Sequence, residues 1–182
     1  MSQGVDQEGC LPKPLGLRLY PHNTVFITAT PTTGSLNCII KLLARALGVP
    51  EMRGRMDTML AIREKLAGTN KVVIIDEAQH LSDSAMASML PTQNRAYNPQ
   101  TIYMGTPPGP RDNGEAFTRL RDKTRAGRTH STLYVEFTAD RDADPLDREQ
   151  WRKANPSYPA HTSDESIANL WENLTGDDFR RE

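Results

Sequence analysis

Cysteine is scarce in this chain of 182 residues, and its two copies lie far apart in sequence. Cys10 and Cys38 form no CxxC pair and belong to no cluster of cysteine and histidine, so we do not expect a zinc site. The N-terminus lacks the basic and apolar regions of a secretion signal, and no apolar run approaches the roughly 18 residues of a membrane span. We therefore expect a protein of the reducing cytoplasm that has no membrane partner.

Charge of one sign does not dominate the sequence either, since the formal net charge is −1. This balance argues against a strong overall attraction to DNA. A local cluster of arginines either contacts DNA phosphates, serves a neighbouring subunit as an arginine finger, or forms a solvated face. The cluster consists of Arg111, Arg119, Arg121, Arg125 and Arg128. The acidic residues among these arginines favour the solvated face, so no DNA-binding residue is assigned.

The stretch from Lys71 to Leu81, which reads K-V-V-I-I-D-E-A-Q-H-L, is the most informative in the chain. The four β-branched apolar residues at 72–75 are typical of a strand that is buried on both faces of a parallel sheet. Adjacent carboxylates are costly to bury, so Asp76 and Glu77 are expected where the strand ends and a crevice opens. In open α/β sheets, ligands bind at that edge.

Hydrophobic periodicity around this strand predicts an α/β fold with a parallel sheet. We predict strands at 24–30, 71–75, 101–104 and 131–137, and helices at about 36–47, 55–66, 82–90, 115–126 and 163–173, with a short helix at Trp151. We expect three layers of the kind found in P-loop nucleotide hydrolases, with a sheet that is incomplete at its N-terminal edge. The predicted organisation is a loose tail at 1–23, this α/β core at 24–138, and a linker with helices at 139–182.

Four apolar residues followed by Asp-Glu are typical of the acidic strand end of P-loop ATPases. In such a site Asp76 binds Mg²⁺, directly or through water, and Glu77 orients or deprotonates the attacking water. An acidic strand end that merely caps the next helix is the alternative.

The sequence contains no Gly-Lys pair, so the phosphate loop G-x-x-x-x-G-K-[ST] is absent. In that loop, backbone N–H groups surround the phosphates and the lysine bridges two of them. The nearest imitation is T-P-T-T-G-S at 30–35, which is placed correctly for an anion site at a helix N-terminus but has one glycine and no lysine. A plain strand–helix turn is the alternative. Binding of ATP and Mg²⁺ by the isolated chain is therefore in doubt, and its nucleotide-binding residues are unassigned.

Gly105 and Thr106 end the strand that follows the acidic one. In P-loop motors, a polar residue at this place contacts the γ-phosphate or its water and couples hydrolysis to motion. A Gly-Thr-Pro-Pro turn without a ligand is an equally good interpretation. We interpret His80 as a residue of the next helix start rather than as a ligand.

From Asp76 to its end, the chain resembles the large subunit of phage terminases, the motors that package DNA. The resemblance rests on D-E-A-Q-H-L-S-D at 76–83, M-L-P-T at 89–92, N-P-Q-T-I-Y-M-G-T-P-P at 98–108, W-R-K-A-N-P-S at 151–157 and F-R-R-E at 179–182. It implies that Asp76 binds Mg²⁺, that Glu77 is the catalytic carboxylate and that Gly105-Thr106 is the coupling motif. It also implies double-stranded DNA, the portal protein and the small terminase subunit as partners, in the host cytoplasm. In that family a metal-dependent nuclease domain follows the F-x-R-E region, where this chain stops, so we expect no nuclease activity.

From Thr24 to about Leu81, the chain is similar instead to AAA+ ATPases that assist DNA transposition. This similarity rests on V-F-I-T-A-T-P-T-T-G-S-L at 25–36, L-L-A-R-A-L-G-V-P at 42–50, G-R-M-D-T-M-L at 54–60 and the acidic strand. Such proteins bind ATP, assemble on DNA as filaments or rings and hand target DNA to a transposase, which implies a homo-oligomer. Their phosphate loop lies upstream of the strand at 24–30, where this chain has a short tail without the motif.

Both families share D-E-A-Q, so a mosaic or truncated chain that is joined near this motif is the simplest account. We expect an ATPase of DNA packaging that resembles the terminase large subunit, or a fragment of one. An AAA+ ATPase of transposition and a degenerate module without catalysis are the alternatives.

Overall fold

The computed structural model describes residues 23–109, 112 and 114–180. The predicted tail at 1–23 therefore lies outside the described residues, apart from Asn23. The chain divides into two compact units, and the division falls between Arg119 and Leu120. Within the described residues, none of the helices has the length and hydrophobicity that a membrane span requires.

Three parallel strands form the sheet of the first unit, in the order β1–β2–β3. They are β1 (Thr24–Thr28), β2 (Val72–Asp76) and β3 (Gln100–Tyr103). The central strand, β2, is buried along all four of its apolar residues, as a run of β-branched side chains predicts. The register places Thr28 beside Asp76 and Ile75 beside Tyr103, so the three strands end at one edge. The predicted α/β class, with a parallel and incomplete sheet, is confirmed.

Helices pack with the sheet around one hydrophobic core in the first unit. They are α1 (Leu36–Leu47), α2 (Arg55–Leu66), α3 (Asp83–Gln93) and the beginning of α4 (Glu115–Arg125). Ile39 of α1, Ile62 of α2 and Ile75 of β2 are among its fully buried side chains. Complete burial of one such side chain stabilises a fold by about 1.5–3 kcal/mol, so this core holds the carboxyl edge of the sheet in place.

Residues at the helix ends explain where α1 ends and where α3 begins and ends. Gly48 adopts the left-handed conformation after α1, and Ser82 caps α3 because its hydroxyl accepts the N–H of Ala85 at 3.2 Å. Helix α3 extends three residues past its predicted end and includes Pro91. Proline has no N–H to donate to the preceding turn, and the helix ends two residues later.

The second unit contains three further helices and a small aromatic cluster. The helices are α5 (Arg148–Ala154), α6 (Asp164–Asn173) and α7 (Gly176–Phe179). The rings of Trp151 and Tyr158 meet edge to face with their centroids 5.6 Å apart, and Tyr158 is buried. The hydroxyl of Ser163 caps α6, which was predicted at 163–173, whereas α7 is not among the predicted helices.

The predicted strand at 131–137 is wrong. Within the part of the chain that the structure describes, this segment belongs to no strand. Its alternating apolar side chains, Leu133, Val135 and Phe137, are 64%, 60% and 58% exposed. A strand requires a neighbouring strand that accepts its backbone hydrogen bonds, and the alternation of side chains does not supply one.

Candidate functional site

The candidate site lies where the carboxyl ends of β2 and β3 meet. It consists of Asp76, Glu77, Gln79, Gly105 and Thr106, which we call the acidic edge. Parallel strands that end together bring these residues close, although about 30 positions separate the two segments in sequence. Two backbone hydrogen bonds continue the pairing beyond the strands, from the N–H of Met104 to the Ile75 carbonyl at 2.9 Å and from the N–H of Ala78 to the Met104 carbonyl at 2.8 Å.

Glu77 turns the chain out of the sheet. Among the described residues it is the single non-glycine residue with a positive φ, at 55°. Side chains other than those of glycine, asparagine and aspartate rarely adopt this conformation, and strained residues of this kind cluster at active sites. The turn leads directly into one turn of 3-10 helix at Ala78–His80, and the Glu77 side chain remains 44% exposed. The carboxylate is therefore accessible to a substrate or to water.

Gln79 joins the two predicted functional residues. Its side-chain nitrogen, Nε2, donates to Glu77 Oε2 at 2.6 Å and to Thr106 Oγ1 at 3.2 Å. The side chain is almost completely buried, with 3% of its surface exposed. Sequence reasoning missed this residue, because a glutamine within D-E-A-Q gives no local sign that it reaches a threonine 27 positions away.

Gly105 allows the close approach of these segments. A Cβ atom at this position would lie 2.1 Å from Gln79 Oε1 and 3.1 Å from the backbone nitrogen of Ala78. Only glycine fits here without displacing the glutamine. The structure thus brings the Gly105-Thr106 pair beside Glu77, and its role in coupling stays a prediction.

His80 lies between two carboxylates at the end of the 3-10 turn. Its Nδ1 atom is 2.8 Å from Asp112 Oδ1, and its Nε2 atom is 3.9 Å from Glu77 Oε2. Asp112 is itself held by the Gly109 N–H, which donates to Oδ2 at 2.6 Å. The side chains of His80 and Asp112 are each 15% exposed. The imidazole therefore lies against Asp112 of the loop after β3, a contact that the sequence did not indicate, while its distance from Glu77 is too long for a hydrogen bond.

The turn T-P-T-T-G-S lies beside the acidic edge but has the bonding of a structural turn. The N–H groups of Thr33 and Gly34 both donate to the Thr30 carbonyl, at 3.0 and 2.8 Å. The N–H of Thr30 donates to the Thr33 hydroxyl at 2.9 Å. Three amides that a phosphate loop would direct at a ligand are thus already bonded within the turn. This bonding favours the strand–helix turn over a phosphate site.

The acidic edge offers oxygen ligands that suit magnesium. Within the described residues, no group of three or more histidine, cysteine, aspartate or glutamate side chains is placed to hold a metal ion by itself. Mg²⁺ in nucleotide sites is usually held by one or two carboxylates together with phosphate oxygens and water. Asp76 at the end of β2 fits that arrangement. A cradle for the phosphates is not present among the residues that the structure describes.

Most of the candidate arginines bond to carboxylates rather than projecting freely. Arg119 donates to both oxygens of Asp83 at 3.2 Å, Arg121 pairs with Asp122 and Arg125 pairs with Glu136. Arg111 lies outside the described residues. These exposed pairs are those of a solvated face, and each contributes little to stability.

Comparison with known proteins adds one finding to this geometry. A family model described as an AAA domain matches residues 5–112, which is more than half of the chain. The matched range includes β1, β2, β3 and the whole acidic edge. No curated protein matches the chain.

Proposed function

Since the chain belongs to the AAA domain family of P-loop ATPases, we propose that its acidic edge serves the hydrolysis of Mg·ATP. Asp76 holds Mg²⁺, directly or through water, and Glu77 orients or deprotonates the water that attacks the γ-phosphate. The observation that carries this proposal is the position of the two carboxylates at the end of a central buried strand. Glu77 is directed there by its strained backbone and by the bond from Gln79.

The affinity of the isolated chain for Mg·ATP is expected to be low. The sequence contains no Gly-Lys pair, and the amides of the T-P-T-T-G-S turn are bonded within the turn. We therefore expect a dissociation constant no tighter than about millimolar, which corresponds to roughly −4 kcal/mol. Calorimetric titration of the purified chain with Mg·ATP, beside Asp76→Ala, measures this value. Micromolar binding that Asp76→Ala weakens would contradict the expected affinity and would direct attention to the turn at 31–35 as an unorthodox phosphate site.

Hydrolysis itself is tested with Mg·ATP varied up to concentrations well above the expected dissociation constant, so that kcat is measured apart from weak binding. Glu77→Gln retains the shape of the side chain and removes the carboxylate. The loss of a catalytic base of this kind typically costs about 10²–10⁴-fold in rate. The matched control is Glu165→Gln, an exposed glutamate in α6 of the second unit. Turnover by Glu77→Gln equal to that of the wild type would refute the proposed role of Glu77, whereas absence of turnover by the wild type would support a module without catalysis.

We further propose that this ATPase module belongs to a DNA-packaging motor of the terminase large-subunit type. Support comes from the order of the motifs after Asp76, which includes the Gly105-Thr106 pair and the W-R-K-A-N-P-S stretch at 151–157. Double-stranded DNA, a portal protein, a small subunit and further copies of this chain are the partners that this function requires. Co-purification with the portal protein of the same genome, compared with an unrelated portal, tests the proposal.

An ATPase of DNA transposition is the second candidate, and it rests on the similarity of residues 24–81 to transposition helpers. The family match covers the strand–helix–helix–strand segment from β1 to β2, where the chain is similar to transposition helpers. The two candidates differ in their genomic neighbours. Portal and capsid genes beside this gene support packaging, whereas a transposase gene supports transposition.

A further inference from the structure

Gln79 is buried, and half of its amide is left without a partner. Its Nε2 atom makes two hydrogen bonds, whereas its Oε1 atom is buried with no hydrogen-bond partner in the described structure. A buried and unpaired carbonyl is costly, so a glutamine that only filled space would be a poor choice at this position. The two hydrogen bonds of the amide nitrogen are therefore expected to offset the cost of burying the unpaired oxygen.

The chemistry of Glu77 fixes the orientation of this amide. An ionised carboxylate can only accept hydrogen bonds, so the NH₂ group of Gln79 and not its oxygen must face Glu77. Hydrogen bonds to an ionised acceptor are shorter and stronger than neutral ones, which agrees with the distance of 2.6 Å. The bond restrains the Glu77 carboxylate, whose side chain is 44% exposed.

The second hydrogen of the same NH₂ group reaches Thr106. A threonine hydroxyl has one proton to donate and two lone pairs that accept. Because Nε2 donates to Oγ1, the bond uses a lone pair and leaves the hydroxyl proton available for another acceptor. An oxygen of a phosphate group or a water molecule beside the acidic edge is an acceptor of the required kind.

We propose that Gln79 is a positioning residue that ties the direction of the Glu77 carboxylate to the position of the Thr106 hydroxyl. The proposal rests on the ATPase function proposed above. Movement of Thr106 toward a phosphate oxygen pulls on the NH₂ group, and the NH₂ group moves the carboxylate with it. This arrangement requires glycine at position 105, because a Cβ atom there would lie 2.1 Å from Gln79 Oε1 and would displace the amide.

The two hydrogen bonds from Gln79 to Glu77 and Thr106 are tested first without nucleotide, by NMR of the glutamine side-chain amides. Loss of a signal in Gln79→Met assigns the Gln79 resonance. If both hydrogen bonds exist, Thr106→Val and Glu77→Ala each shift the Gln79 resonance. The amide of Gln150 is the internal control, since its Nε2 donates to Asp140 in the second unit. An unmoved Gln79 resonance in both variants overturns the proposal.

Turnover measured over the same range of Mg·ATP concentrations provides the second test. Gln79→Met has similar volume but no donor, and we expect a fall in kcat of about tenfold or more, with KM changed less than about twofold. Gln150→Met makes the same substitution outside the acidic edge and leaves kcat unchanged. A raised KM with unchanged kcat overturns the positioning role. If Gln79→Met does not fold, Gln79→Leu, which also lacks a donor, carries the same test of kcat.

The two tests separate this inference from the function on which it rests. A wild-type chain without turnover refutes the ATPase proposal, and the NMR experiment still decides whether Gln79 ties Thr106 to Glu77. Turnover that depends on Glu77 but not on Gln79 supports the ATPase and refutes the positioning role.

Discussion

Replacement of Gly34 by alanine is predicted to destabilise the first unit strongly. Gly34 lies in the turn between β1 and α1, where the chain passes directly beside the end of the 3-10 turn. A Cβ atom at this position would lie 1.9 Å from the His80 carbonyl oxygen and 2.7 Å from the carbonyl carbon. Both atoms belong to the backbone, so no side-chain rotation can relieve the contact.

The size of the effect follows from two terms. Ordinary contact begins at 3.4 Å, so the two segments must separate by about 1.5 Å. Overpacking of this kind typically costs about 1–3 kcal/mol. The same movement breaks the hydrogen bond from the Ser82 N–H to the Gly34 carbonyl, now 3.1 Å long, which contributes about 0.5–1.5 kcal/mol. The predicted loss is about 1.5–4.5 kcal/mol, out of about 5–15 kcal/mol for a typical domain.

Urea unfolding followed by far-ultraviolet circular dichroism measures this loss. Tryptophan fluorescence is unsuitable, because both tryptophans, Trp151 and Trp171, lie in the second unit. With a typical denaturant dependence, the midpoint falls by about 1 M or more. Two control variants separate the possible causes. Gly176→Ala meets nothing within 4 Å, and Gly48→Ala also meets nothing but must adopt a φ of 66°, at a cost of about 1–2 kcal/mol.

A Gly34→Ala midpoint equal to that of the wild type would refute the close packing of the turn against His80. A loss no larger than that of Gly48→Ala would also count against it, because the contact would then add nothing to ordinary backbone strain.

Two further predictions concern a helix cap and a buried phenol. Ser82→Ala removes the hydroxyl that accepts from Ala85 and should cost about 1 kcal/mol in urea unfolding. Ser35→Ala, at a helix start without a side-chain cap bond, should cost clearly less, and equal losses would contradict the capping geometry. Burial raises the pKa of Tyr103 to about 12, while a bond with Thr101 acts in the opposite direction. The phenol of Tyr103 has a pKa near 10.0 in the unfolded chain. The stability that the buried neutral phenol contributes is therefore present below about pH 10 and is lost as the pH rises toward 12. Tyr103→Phe should lose less stability than the wild type over this range, and parallel losses would exclude a role for Tyr103.

Local pattern was sufficient to predict most helices of the first unit and the central strand. The positions of α1 and α2 follow from apolar spacing and from the glycines beyond their ends, and β2 follows from an unbroken run of β-branched residues. In each case the residues that decide the structure are close together in sequence. The predicted strand at 131–137 failed because pairing depends on a partner from elsewhere in the chain.

The candidate site was predictable only in part, for a similar reason. Asp76 and Glu77 were found because carboxylates that follow a buried strand need an exposed edge. The bond from Gln79 to Thr106 and the contact of His80 with Asp112 join positions 27 and 32 residues apart. Such contacts depend on the register of β3 beside β2, which single-sequence periodicity does not determine.

The left-handed backbone of Glu77 lowers the stability of the fold, whereas the carboxylate of Glu77 is the group proposed to act in hydrolysis. A residue with a Cβ atom in this conformation costs about 1–3 kcal/mol, and glycine would remove most of that cost. In a lineage under selection for stability alone, glycine at position 77 would be favoured and would spread. Glutamate is therefore retained at position 77 only under selection for its carboxylate. The frequency of glutamate at this position among natural variants of the chain would show whether that selection persists.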